Sequence, residues 1–178
     1  MSQSASQNVS SSEYLSEKTQ TVLDTFKQLG ADAKLALLYL VYQKMGDSVT
    51  PAAPSATDPE LAPLLMANFY TLSHEKQLDV MRDIVNGADT EYSQAYGALK
   101  ENNQLMVWFA WAQAMGQSVV GMPAGYQAAQ PVTEALGQIE GLAFEGQISL
   151  LREIVSGMGY SNVKPIPSQA ETGKTASL

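Results

Sequence analysis

The chain has no cysteine. Disulfides, thiolate metal sites and cysteine nucleophiles are therefore excluded. It has a single histidine, His74. A lone imidazole just after a helix N-cap reads as a surface residue, and with no second histidine no nucleophile–histidine dyad or ordinary transition-metal cluster is expected. Long hydrophobic runs are missing too. The longest, Leu35–Tyr42 and Leu105–Ala112, are eight residues each, where a membrane-spanning helix needs roughly 20. Met1–Ser12 is polar and lacks the apolar stretch of a signal peptide. Positive charge is scarce: ten Lys and Arg against eighteen Asp and Glu leave a net charge of −8, which argues against nucleic acid and anionic membrane surfaces as partners. GxGxxG, GxxxxGK[ST] and HExxH are absent. The carboxylates are scattered, with Asp79 and Asp83 one turn apart on what reads as a solvated helix face. A chain this poor in catalytic groups reads as a binding protein rather than an enzyme.

What is present is a repeat. Asp32–Val49 aligns without gaps on Asn102–Val119, and Ser73–Gly87 on Ala143–Gly157, both at an offset of 70 residues with 12 identities in 33 positions. The identical pairs include Leu35/Leu105, Met45/Met115, Gly46/Gly116, Gln77/Gln147 and Arg82/Arg152. Such self-similarity marks an internal duplication. Two related lobes meeting about a pseudo-two-fold axis leave a groove between them, and ligand sites favour such interfaces.

Between two polar ends the signals are helical throughout, so the fold class is all-α. Residues 1–16 and 163–178 are expected to be disordered and 17–162 to form the domain. Apolar spacing predicts helices over Thr19–Leu29, Asp32–Met45 with Gly46 as C-cap, Asp58–Tyr70, Ser73–Asn86, Asp89–Leu99, Asn102–Met115, Pro131–Ile139 and Phe144–Ser156. Pro51 and Pro54 predict a loop over Val49–Thr57, and Gly and Pro another over Val120–Tyr126.

One face of the second helix carries Leu35, Leu38, Tyr39 and Tyr42. The matching face of its repeat carries Leu105, Trp108, Phe109, Ala112 and Met115. Aromatic stripes at helical spacing are most often core. Here they recur at matching positions of both repeats and are followed by a loop with Met122 and Tyr126, while Met81 and Met115 supply adaptable thioethers. Such a tunnel suits a long, flat, apolar ligand. The opposing reading is a pigment-free helical interaction module with a dry core.

The text FKQL at Phe26–Leu29, LALLYLVYQKMG at Leu35–Gly46, AAP at Ala52–Pro54, the Trp108–Phe109 pair, MPAGY at Met122–Tyr126 and GQISLLREIVSGMGY at Gly146–Tyr160 resembles the N-terminal carotenoid-binding domain of the orange carotenoid protein family, and more closely its free-standing relatives, the helical carotenoid proteins of cyanobacteria. The resemblance spans roughly residues 19–162. It implies two interleaved four-helix bundles with a ligand tunnel between them. A ketocarotenoid, canthaxanthin or echinenone, would be held there without covalent attachment. The family's lining positions fall on Leu35, Tyr39, Tyr42, Val49, Met81, Leu105, Trp108, Phe109, Ala112, Met115, Met122, Tyr126 and Ile148. Arg152 falls on the arginine that contacts the regulatory domain and the antenna in two-domain members. The implied function is photoprotection by quenching singlet oxygen. Quenching of phycobilisome excitation or carotenoid carriage is the alternative. The expected partners are the carotenoid and either the phycobilisome or a separate homologue of the C-terminal domain. The expected state is a monomer or weak dimer in the cytoplasm near the thylakoid surface.

The sequence departs from the two-domain pattern in places. Tyr39 stands for a tryptophan, Phe109 for a tyrosine and Ala112 for a glycine, and the loop before Met122 is one residue shorter. A light-driven switch in the family needs the regulatory domain, so none is expected from this chain alone.

Overall fold

In a computed structural model, residues 16–49 and 62–161 are described, except for the side chains of 47–49. They form eight α-helices and one short 3-10 turn: α1 Glu17–Lys27, α2 Ala31–Val49, α3 Pro63–Met66, the turn Asn68–Thr71, α4 His74–Asn86, α5 Glu91–Gly97, α6 Glu101–Gln113, α7 Gln130–Glu140 and α8 Phe144–Ser156. No β-strand is formed among the described residues, only an isolated bridge between Met115 and Val119.

The helix starts follow local chemistry. Ser16, Ser73 and Thr90 sit in extended backbone, and their hydroxyls accept from Thr19, Lys76 and Ser93 N–H at 3.1–3.2 Å. Those donors would otherwise be orphaned at a helix start. Gly87 ends α4 at φ 68, a left-handed cap that glycine adopts without strain. Pro131 lies in the first turn of α7, where its missing N–H costs nothing.

Two expectations are corrected. Gly46 does not cap α2, which runs through it to Val49. Glycine fits there because a Cβ would stand 3.3 Å from the Phe109 ring, so the absent side chain lets α6 approach α2. The helix expected over Asp58–Tyr70 is, within the described residues, a single turn at Pro63–Met66 and a 3-10 turn. Proline cannot sit in a helix interior, so Pro63 begins a helix rather than continuing one. The expected loop beyond Val49 and the two expected disordered ends lie outside the described residues, except Ser16, which is placed as the N-cap of α1.

The two halves interleave. α1, from the first half, packs on α7 and α8 of the second, while α5 packs on α3 and α4 of the first. At the centre α2 touches α4, α6 and α7, and α6 also touches α8. The arrangement is two four-helix bundles exchanging their leading helices about an α2–α6 crossing. Equivalent contacts recur 70 residues apart. The Gln77 amide donates to the Phe69 carbonyl at 3.2 Å, and the Gln147 amide to that of Ile139 at 2.9 Å. Arg82 reaches Asp32, and Arg152 reaches Asn102. The duplication seen in the text is thus a duplication of packing.

Candidate functional site: an apolar groove across the repeat axis

α2 and α6 are apolar on nearly every side, so part of each faces core and part faces something else. Three adjoining cavities lie along their crossing. The narrow central one, about 20 Å³, is walled by Leu35, Leu38, Tyr39, Tyr42, Met81, Trp108, Trp111, Ala112 and Met115. On one side it shares Tyr39, Tyr42 and Ala112 with a cavity of about 350 Å³ that also takes in Met45, Gly46 and Phe109 and the polar side chains of Gln43, Lys44 and Gln113. On the other it shares Leu35, Met81 and Met115 with a cavity of about 310 Å³. Leu78, Val120, Met122, Pro123 and Tyr126 complete that wider pit. The groove therefore has two broad ends and a waist.

Its aromatic walls are held rigidly. Trp108 is buried and donates its indole N–H to the Tyr96 hydroxyl at 2.9 Å, which donates to the Val155 carbonyl at 2.7 Å. The Trp108 ring meets Trp111 edge-on at 5.2 Å, and Trp111 stacks on Phe69 at 4.0 Å. Trp111 also donates to the Leu65 carbonyl. The buried Tyr42 hydroxyl donates to the Leu105 carbonyl at 3.1 Å, and its ring lies 6.0 Å from that of Phe109. Burial pushes the Tyr42 and Tyr96 phenols well above the usual tyrosine range, so both stay neutral. Each indole and phenol of this wall has its polar atom satisfied on the protein side, which leaves the ring free to serve as apolar surface.

Nine of the thirteen lining residues expected from the sequence touch the central or 310 Å³ cavity: Leu35, Tyr39, Tyr42, Met81, Trp108, Ala112, Met115, Met122 and Tyr126. Phe109 lines the 350 Å³ end. Leu105 is fully buried and Ile148 packs partly buried against the core, and neither lines a cavity of the groove. The side chain of Val49 lies outside the described residues. Arg152 stands apart, in an open cleft of about 660 Å³ with Lys100, Asn102, Gln104 and Ser156. Its Nη2 donates to Asn102 Oδ1 at 3.2 Å. His74 is exposed at the start of α4, as expected. Among the described residues no cluster of His, Asp and Glu could hold a metal ion, and no helix is long and apolar enough to cross a membrane.

Sequence reasoning put Leu38 on the aromatic face of the second helix but not among the lining positions, and it missed Leu78 and Trp111. The two leucines were within reach, because Leu38 is the repeat mate of Trp108 and Leu78 that of Ile148. Trp111 is the mate of Val41, on the opposite and equally apolar face of its helix, and no spacing rule singles it out.

Fold and groove together define a class, a duplicated helical domain built around an elongated apolar binding site. The chain matches the family described as orange carotenoid protein, N-terminal, over residues 12–161. It is 36% identical over 140 residues to an orange carotenoid-binding domain-containing protein of Nostoc sp., covering 78% of this chain and 82% of that one. It is 34% identical over 137 residues to the orange carotenoid-binding protein of Synechocystis sp., covering 76% of this chain but 43% of that longer one. Among solved structures it is similar to the Red Carotenoid Protein of Anabaena (Nostoc) sp. binding canthaxanthin, with TM-score 0.69, 33% identity, and 80% of this chain and 99% of that one covered. It is also similar to the Orange Carotenoid Protein of that organism binding canthaxanthin, with TM-score 0.75, 28% identity, and 86% and 51% covered. The chain belongs to the orange carotenoid protein N-terminal domain family.

Proposed function

We propose that this protein binds a ketocarotenoid, canthaxanthin or echinenone, without covalent attachment and in a photoprotective role. The observation that carries the reading is the run of three adjoining cavities across the repeat axis, apolar at the waist and at the 310 Å³ end and mixed in polarity at the 350 Å³ end, walled by Tyr39, Tyr42, Trp108, Met81 and Met115. A long polyene fits the chemistry of the waist and the 310 Å³ end, which offer flat aromatic faces, thioethers and hydrocarbon. The waist of about 20 Å³ is too narrow for a polyene until side chains part. Met81 and Met115 flank it and are the residues best able to yield, being unbranched and polarisable. Tyr39, on the same wall, is only half-buried. When bound, the conjugated chain supplies the photophysics, accepting energy from singlet oxygen and releasing it as heat. The protein's part is to exclude water and hold the pigment in one orientation.

Arg152 is proposed as a partner contact. No carboxylate pairs with it among the described residues, and its cleft opens to solvent away from the groove. The test of the main reading is colour. Protein made in a carotenoid-producing host should purify orange to red with about one pigment per chain. A folded but colourless protein would overturn the reading and leave a pigment-free helical module.

A further inference from the structure

The 310 Å³ end of the groove is apolar except at one place. Leu78, Met122 and Pro123 contribute only hydrocarbon and thioether, whereas Arg82 and Asp32 bring an ion pair to its wall and Tyr126 a phenol. Arg82 Nε and Nη2 donate to the two Asp32 carboxylate oxygens at 2.7 and 3.0 Å. A guanidinium has five N–H donors in a planar fork, and this pairing occupies two. The remaining terminal nitrogen, Nη1, lies 3.8 Å from Asp79 Oδ1, an ion-pair distance beyond hydrogen-bond reach. Arg82 is only partly exposed, and the Tyr126 hydroxyl has no hydrogen-bond partner among the described residues. Asp32 thus orients the fork and leaves donors over at the exposed rim of an apolar pit. A few placed polar groups in an otherwise apolar site are what fix ligand orientation and selectivity.

We propose that Arg82 recognises a carbonyl oxygen on the terminal ring of the bound carotenoid, through the guanidinium N–H groups that Asp32 leaves free. The inference rests on the carotenoid reading of the groove and adds its selectivity: this end takes an oxygenated ring in preference to a hydrocarbon one. A keto oxygen is an acceptor only, and an arginine only donates, so the two are complementary. Hydrogen bonds to a charged donor are stronger than neutral ones. A site built to bond an oxygen discriminates against the analogue that lacks it, because its donors are left unpaired. At a partly hydrated rim the discrimination is modest. Asp32 is a positioning residue here: it touches arginine, not pigment.

The experiment offers pigment-free protein β-carotene, which carries no oxygen, and canthaxanthin, which has a keto group on each ring. Wild type should prefer canthaxanthin by about tenfold, equivalent to about 1.4 kcal/mol. Arg82→Leu should bring that ratio to about one, chiefly by lowering canthaxanthin uptake. Arg82→Lys should retain part of the preference. Asp32→Asn keeps the donors but loosens their placement, and should also retain only part of it. Infrared difference spectra supply a readout independent of affinity: the carbonyl stretch of bound canthaxanthin should be lowered in wild type and return toward its free value in Arg82→Leu. A wild-type ratio near one would overturn the proposal, as would an unchanged ratio and carbonyl stretch in Arg82→Leu. So would equal loss of both pigments in that variant, which would make Arg82 merely structural. If Arg82→Leu does not fold, Arg82→Lys decides: a ratio and stretch identical to wild type, where a point charge replaces the fork, overturns the assignment. Uptake of neither pigment by wild type would instead sink the carotenoid reading itself, an outcome distinct from uptake without selectivity.

Discussion

Gln77 and Gln147 occupy equivalent places on α4 and α8, yet they hold very different amounts of structure. Gln77 is fully buried. Its amide donates to the carbonyls of Phe69 and Ser118, and its oxygen accepts from Val120 N–H at 2.8 Å. It thereby ties the 3-10 turn to the segment that leads into the Met122–Tyr126 loop. Gln147 keeps only the first of these bonds, to Ile139. The same asymmetry runs through the rest of the pair. α6 ends at Gln113, and Gly116 follows with φ +85, its N–H bonded to the Val119 carbonyl at 2.8 Å. α2 runs on through the equivalent Gly46. Arg82 meets a carboxylate, Arg152 an amide. The lesson is that a duplicated scaffold keeps its packing plan while its polar locks diverge, and the divergence gives the groove two different ends.

Substitutions at paired positions test this. The largest effect is expected at Trp108, against its mate Leu38. Trp108→Ala removes a buried indole that packs against Tyr96 and Trp111, and should cost about 3–5 kcal/mol by urea denaturation, with Leu38→Ala nearer 2. Pigment occupancy, read as the visible-to-ultraviolet absorbance ratio, should fall with Trp108→Ala. Equal stability losses would mean that the two helices carry the core alike. Next come the glutamines. Gln77→Leu strands the Val120 N–H and two carbonyls and should cost about 2–3 kcal/mol, because buried groups left unpaired are expensive. Gln147→Leu loses one bond and should cost about 1 kcal/mol. Similar midpoints for the two variants would break the comparison.

The glycines come third. Gly116→Ala forces a side chain into left-handed backbone and should cost about 1–2 kcal/mol. Gly46→Ala should be close to neutral. Its helix-propensity gain of about 1 kcal/mol is opposed by the few tenths of an ångström that the Phe109 ring must yield.

The smallest effect concerns pH. Arg82, by hydrogen bond and charge, holds the Asp32 carboxyl below its ordinary value of 3.8. A depressed folded-state pKa means that the unfolded chain binds the proton first, so this contribution is complete above the unfolded value and is lost as pH falls through the folded one. The second repeat has Asn102 there and contributes no such slope. Asp32→Asn should therefore flatten the acid limb of stability between about pH 5 and 2 by no more than about 1 kcal/mol, the ordinary worth of an exposed ion pair. An unaltered acid limb would show that the pair contributes nothing.

Much of this was legible in the sequence because both levels of order are periodic. The 3.6-residue period exposes helices, and the 70-residue period exposes their pairing. α8 begins and ends where its apolar stripe does. What local text could not decide was backbone conformation at near-identical strings. Met45-Gly46-Asp47-Ser48-Val49 is helix, while Met115-Gly116-Gln117-Ser118-Val119 is a turn closed by a left-handed glycine. The choice is made at a distance, by Gln77 gripping Ser118 and Val120 and by Phe109 leaning on Gly46. The same holds for the groove. Residue types on α2 and α6 announce an apolar surface, but whether Leu105 faces cavity or core depends on how the helices cross.

The exchange of α1 and α5 between halves has a consequence for descent and for dissection. A single repeat with its leading helix folded elsewhere has no closed core of its own, so cutting between Gly87 and Thr90 should yield two fragments that are stable only together. Swapping one identical element between protomers is an inexpensive route to a symmetric dimer. Tethering such protomers end to end, through the short link between α4 and α5, would produce this chain. Read that way, the pigment path is an ancestral subunit interface, and the differences between its two ends are what a symmetric assembly could not have evolved until its subunits became one molecule.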